Sequence, residues 1–148
     1  FMAYDQYGTS SNKAGTTAGY NWVEANIKKF LGQEDVDPEK IILGIPLYMR
    51  LWEEEEDGTA KPEVVNMRDM FDVLPENQVA TWDEELKQYY VEYEEDGKTY
   101  KMWVENEKSV GEKINLANQY NLAGIAFWEK DRETNDEFWT FVKEQLNK

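Results

Sequence analysis

The apolar and polar positions of this chain follow one pattern at its two ends and another in its middle. Phe1-Met2-Ala3-Tyr4 is an unbroken apolar run closing on Asp5, which predicts a buried strand that ends in a phenol and a carboxylate. A loop rich in Gly, Ser, Thr and Asn follows from Gln6 to Ala18. Val23, Ile27, Phe30 and Leu31 then recur at i, i+4, i+7 and i+8, the stripe of an amphipathic helix that Gly32 stops. Lys40-Ile41-Ile42-Leu43-Gly44-Ile45 has the length and continuity of a strand buried on both faces, and it ends at Pro46-Leu47-Tyr48. Together these predict a βαβ unit. Near the other end, Ser109-Val110-Gly111-Glu112 reads as a capping box with Ser109 at N-cap and Glu112 at N3. Val110, Ile114, Ala117 and Asn121 mark the inner face of the helix it opens, and Asn121 closes that helix. Leu122 to Trp128 predicts another buried strand. Thr134-Asn135-Asp136-Glu137 reads as a second capping box, with Phe138, Phe141, Val142 and Leu146 facing inward.

Between these halves the period changes from 3.6 to 2. Tyr89, Val91 and Tyr93 alternate with polar residues, Asp96-Gly97 turns the chain, and Tyr100, Met102 and Val104 alternate again. Counting outward from the turn puts Tyr93 opposite Tyr100 and Val91 opposite Met102. The other face pairs Glu92 with Lys101 and Tyr90 with Trp103. Gln78 to Trp82 predicts a further strand, Asn66 to Leu74 a short helix capped by Asn66, and Glu53 to Gly58 a solvated loop. Residues 1–50 and 107–148 therefore read as α/β, and residues 51–106 as an inserted α+β subdomain.

Alternating strands and helices imply a parallel sheet with helices outside. Two architectures fit: a small open α/β domain, or part of a (β/α)8 TIM barrel. The residues just past each strand favour the barrel: Tyr4 and Asp5, then Tyr48 and Arg50, then Trp128 and Glu129. In a barrel, such C-terminal strand ends form the active site. A whole barrel takes about 250 residues, so about three of its eight units would be present.

Charge and composition narrow the chemistry. The formal net charge is −15, with 31 acidic against 16 basic residues, which disfavours nucleic acid and anionic membrane surfaces as partners. The absence of Cys and His removes thiolate and Ser-His-Asp catalysis and the ordinary zinc sites. No metal and no cofactor is expected, and any catalysis must use carboxylates, Tyr, Lys or Arg. Aromatic residues make up 14% of the chain, enough to fill a core and also to stack on sugar rings.

At four places the chain resembles glycoside hydrolase family 18, the chitinase-like barrels. Met2-Ala3-Tyr4-Asp5 is similar to the Met-x-Tyr-Asp motif of that family's sixth barrel strand. Gly44-Ile45-Pro46-Leu47-Tyr48-Met49-Arg50 resembles its seventh strand, and Leu122 to Glu129 its eighth, which ends in Trp128. The middle segment, with Trp82-Asp83-Glu84, Tyr90 and Tyr100-Lys101-Met102-Trp103-Val104, resembles the chitinase insertion domain. The closest flavour is a bacterial branch that acts on peptidoglycan or chitin-like polymers.

The resemblance implies a substrate-assisted mechanism, in which the sugar's own N-acetyl oxygen attacks the anomeric carbon. Tyr4 would hold the N-acetyl group, Asp5 a sugar hydroxyl, and Trp128 would floor the subsite, with Met2 at its base. Tyr48 and Arg50 would contact neighbouring sugars. The family's proton-donating Glu lies in an Asp-x-x-Asp-x-Asp-x-Glu motif on the fourth strand, and no such motif occurs in these residues. The chain alone is therefore expected to be inactive. The implied partner is an N-acetylglucosamine-containing polysaccharide. A homodimer, or association with a preceding half through open strand edges, is a further expectation, as is a secreted, cell-wall or spore-associated location in a Gram-positive bacterium. A non-catalytic carbohydrate- or protein-binding module remains the alternative.

Overall fold

The computed structural model describes residues 1–148 and contains two sheets joined through one residue. Phe1–Asp5 is extended but is not the buried strand expected. It makes a single parallel bridge, Met2 to Gly44, tied by the Phe1 ammonium to the Ile42 carbonyl (2.8 Å) and by the Gly44 amide to the Phe1 carbonyl (2.7 Å). Pairing runs along one side only, so Ala3 is buried while Met2 is 74% exposed. Gly44 permits this approach: a Cβ there would lie 3.0 Å from the Phe1 carbonyl oxygen and 3.2 Å from the Met2 Cα.

Helix α1 (Tyr20–Leu31) follows, burying Val23 and Ile27 as its stripe requires and ending at Gly32. A 3-10 turn at Pro38–Lys40, capped by the Asp37 carboxylate, leads into strand β1 (Ile42–Pro46). The chain then crosses Leu47 directly into β2 (Tyr48–Glu54), which belongs to a second sheet. That sheet has the order β3-β2-β6-β5-β4, with β3 at Ala60–Asn66, β4 at Thr81–Asp83, β5 at Gln88–Glu95 and β6 at Lys98–Val104.

The β5–β6 hairpin has the register counted from its turn, including Tyr93 opposite Tyr100 and Tyr90 opposite Trp103. Asp96 (φ 50°) and Gly97 (φ 75°) both take positive φ, as a type I′ turn demands. The β2–β3 hairpin was not expected. Tyr48 to Trp52 are all buried, so no alternation betrays the strand, and the acidic run that follows resembles a loop. Glu53 and Glu54 in fact continue β2, where they bond Lys98 (2.5 Å) and Lys101 (2.7 Å) across to β6. Between β3 and β4 the expected helix is a 3-10 turn (Met67–Asp69) running into one turn of α-helix, α2 (Met70–Val73). Asn66 occupies its N-cap position without capping it; its side-chain amide donates to Asp69 instead (2.7 Å).

Both predicted capping boxes are displaced. Helix α3 (Glu107–Gln119) starts three residues earlier than expected, with Asn106 at N-cap and Ser109 at N3 exchanging side-chain and backbone hydrogen bonds. Asn121 does take the left-handed conformation (φ 51°) just past its end. Strand β7 (Gly124–Trp128) pairs in parallel with β1, from Ile42 opposite Gly124 to Pro46 opposite Trp128. Paired on that side alone, it is half-buried rather than fully buried. Helix α4 (Glu137–Leu146) is held at its start by Asn135, whose side chain accepts the Glu137 and Phe138 amides, not by Thr134. Leu43 and Ile45 join Val23, Ile27, Val110, Ile114, Phe138 and Val142 in one continuous core. No helix is long and apolar enough to cross a membrane.

Candidate functional site

The chain's two sheets bring four of the six predicted residues together where β1 gives way to β2. Asp5 lies at the end of the N-terminal segment in the left-handed region (φ 60°), which its short side chain tolerates. One carboxylate oxygen accepts both the Tyr48 hydroxyl (2.6 Å) and the Arg50 Nη2 (2.9 Å). Tyr48 and Arg50 alternate along β2, so both side chains reach the same face. Tyr4 packs edge-on against Tyr48, with ring centroids 6.2 Å apart.

Trp128 sits opposite Pro46 in the β1–β7 pair, and its carbonyl accepts the Leu47 amide (2.8 Å). Its side of the cluster is open: Trp128 is 52% exposed. The Trp128–Glu129 peptide is cis. Met2 lies on the exposed side of the first segment.

The electrostatics make this a set of donors around one fixed carboxylate. Arg50 is almost wholly buried and also donates to the Tyr7 carbonyl (3.3 Å). Burial, followed by the hydrogen bond to Asp5, pushes the Tyr48 phenol well above its ordinary range. Burial and then the Asp5 charge push Tyr4 up as well. Both phenols are therefore protonated donors at neutral pH, while Asp5 is an acceptor with half its surface open to solvent.

One neighbour was not anticipated. Arg132, in the loop after β7, donates to Glu129 (3.1 Å) and to the Asn66 side-chain oxygen (2.9 Å), and its guanidinium lies 5.8 Å from the centre of the Tyr48 ring. Glu129 is thus the partner of an arginine. No motif marks Arg132 in the sequence, because a polar loop with one Arg has no period.

A well-formed cavity lies elsewhere. It measures about 430 Å³ and is lined mainly by Met70, Leu74, Tyr89, Val91 and Val104, on the far side of the second sheet.

Residues 1–133 match the family model for glycosyl hydrolases family 18. The chain belongs to that family. It is 26% identical over 144 residues to the uncharacterized glycosylase YvbX of Bacillus subtilis (strain 168), covering 96% of this chain and 40% of YvbX. It is likewise 26% identical to Nod factor hydrolase protein 1 of Medicago truncatula, over 91% of this chain and 39% of that protein. Among solved structures, a chitinase from Chromobacterium violaceum superposes with a TM-score of 0.84 at 27% identity, covering 99% of this chain and 44% of the chitinase. The fold of a Cycas revoluta family 18 chitinase, solved with (GlcNAc)3, is also shared (TM-score 0.76, 22% identity, 97% of this chain, 45% of that one). This family 18 chain therefore spans about 40% of the length of the curated relatives named here. Its mixed α/β architecture is that of the chitinase-like members.

Proposed function

We propose that residues 1–148 form the C-terminal part of a family 18 glycosidase barrel that grips N-acetylglucosamine-containing polysaccharide, peptidoglycan or chitin-like. In this reading Phe1–Asp5, β1 and β7 are the sixth, seventh and eighth barrel strands, and the five-stranded sheet is the insertion subdomain. The observation that carries the proposal is the Asp5 carboxylate, clamped by Tyr48 and Arg50 beside the Tyr4 phenol.

Tyr4 donates its hydroxyl to the N-acetyl oxygen and fixes that group under the anomeric carbon. Asp5, oriented by its two donors, accepts a sugar hydroxyl in the same subsite. The exposed Trp128 face stacks on the ring, with Met2 at the base of the subsite. Cleavage is retaining and substrate-assisted, with the N-acetyl oxygen as nucleophile, and the proton for the leaving oxygen comes from a Glu upstream of these residues. A secreted protein acting at a Gram-positive cell wall or spore fits the same chemistry. Association through the open outer edges of the Phe1–Asp5 segment and β7, with the preceding half or a second copy, completes the reading.

Titration of the chain with (GlcNAc)4, followed by tryptophan fluorescence, tests the grip. Trp128→Ala should weaken binding by about tenfold, roughly 1.4 kcal/mol. Equal affinity in the two proteins sinks the stacking role. Turnover of an N-acetylglucosaminide by residues 1–148 alone sinks the assignment of the acid to an upstream Glu.

A further inference from the structure

The most deeply buried polar groups of the molecule lie outside the proposed sugar site, yet they connect to it. Lys113 of α3 donates to both oxygens of Glu105 (2.9 and 3.1 Å), and each of the two residues is 1% exposed. The Ser109 hydroxyl donates to Glu105 (2.7 Å), and so does the side-chain amide of Gln88 on β5 (2.7 Å). The other end of the Gln88 side chain accepts the Thr16 hydroxyl (2.5 Å). Burial pushes the Glu105 carboxyl up, and Lys113 leads the groups that pull it back.

Thr16 belongs to the loop that leaves Asp5, and it is the point where the network reaches that loop. The Tyr7 amide donates to the Thr16 carbonyl (3.2 Å) and the neighbouring Gln6 amide to the Thr17 carbonyl (2.9 Å). Tyr7 in turn offers its carbonyl to Arg50, which holds Asp5 (2.9 Å). An apolar core would stabilise this junction at least as well as a buried ion pair, so stability does not explain the polar chain. Orientation does, because hydrogen bonds fix direction where apolar contacts do not.

We propose that the Glu105–Gln88–Thr16 chain of hydrogen bonds is a positioning device for Asp5: it fixes the Gln6–Tyr7 backbone and, through the Tyr7 carbonyl, the Arg50 guanidinium. This inference rests on the sugar-site reading for its purpose, though its mechanical link stands apart from it. Thr16→Val keeps shape and removes the hydroxyl. Gln88→Met cuts the same link from the other side while Glu105 keeps Lys113 and Ser109.

Amide hydrogen exchange reads the link without substrate. In both variants the Gln6 and Tyr7 amides should exchange about tenfold faster while those of β5 and β6 keep their protection. Thr16→Ser should restore the wild-type rates. The Kd for (GlcNAc)4 should rise about tenfold in Thr16→Val and recover in Thr16→Ser. Unchanged exchange at Gln6 and Tyr7, or faster exchange spread evenly over β5 and β6, overturns the link. Normal affinity in Thr16→Val overturns its role in binding. A wild-type chain that ignores (GlcNAc)4 overturns the sugar-site reading itself, and the exchange data then judge the link alone.

Discussion

Replacing Asp5 by Asn removes one charge from the centre of the site while keeping the shape, an acceptor oxygen and a residue tolerant of positive φ. What it leaves behind is Arg50, whose side chain is only 4% exposed, with no counter-ion. Breaking a fully buried pair from one side costs about 3–5 kcal/mol. The Asp5 side chain is 50% exposed, so water already screens the pair. About half that cost, roughly 2 kcal/mol, is therefore expected. The reverse perturbation is milder. Arg50→Met fills similar space and leaves a half-solvated carboxylate that keeps the Tyr48 hydroxyl, for a loss of about 1 kcal/mol. With an m-value of about 1.5 kcal/mol per M in urea, the two midpoints should fall by roughly 1.3 M and 0.7 M. In the Arg50→Met background, Asp5→Asn should cost almost nothing, because the charge it abandons is no longer there. An Asp5→Asn penalty of the same size in both backgrounds would refute the reasoning.

Lys113→Met should be the most damaging change, at about 3–5 kcal/mol by thermal melting, because it strands the buried Glu105 carboxylate. With the carboxyl raised by burial, the folded form holds a proton more tightly than the unfolded form, so that variant should gain stability as pH falls from neutral toward 5; a loss over that range contradicts the assignment. Asn106→Ala removes the acceptor that caps α3 and should cost about 1 kcal/mol in a urea melt. Gly44→Val forces a side chain against Phe1, Met2 and Tyr4, and quicker exchange at the Gly44 amide should report release of the N-terminal segment.

What could be read from the sequence was whatever repeats or punctuates. The β5–β6 register followed from a period of 2 and one Asp-Gly turn. Helix α1 followed from its stripe, and the family from motifs at three strand ends and in the insert. Strand β2 was hidden because Tyr48 to Trp52 are all buried and so do not alternate, and because its acidic residues paired across the sheet look like solvated ones. The caps moved because Ser109 can serve either as N-cap or as N3, and only the Asn106 side chain decides. Within the site, Tyr48 and Arg50 could be read as residues just past the strand that ends at Pro46, and from the family resemblance. Arg132 and Thr16 could not, since they arrive from loops far away in the chain and carry no local pattern, and Asn66, read only as a helix cap, is the last residue of β3.

The crossing at Leu47 has a mechanical consequence. Its amide is pinned to Trp128 (2.8 Å) and its carbonyl receives the Met67 amide (3.1 Å), so the entry to the five-stranded sheet is fastened from both sides. The exit, after Val104, runs straight into the buried Glu105–Lys113 pair. A subdomain bolted at entry and exit has no hinge about which to swing. It is a fixed wall, not a lid, so a ligand held at the Asp5 cluster would meet a surface that does not close over it.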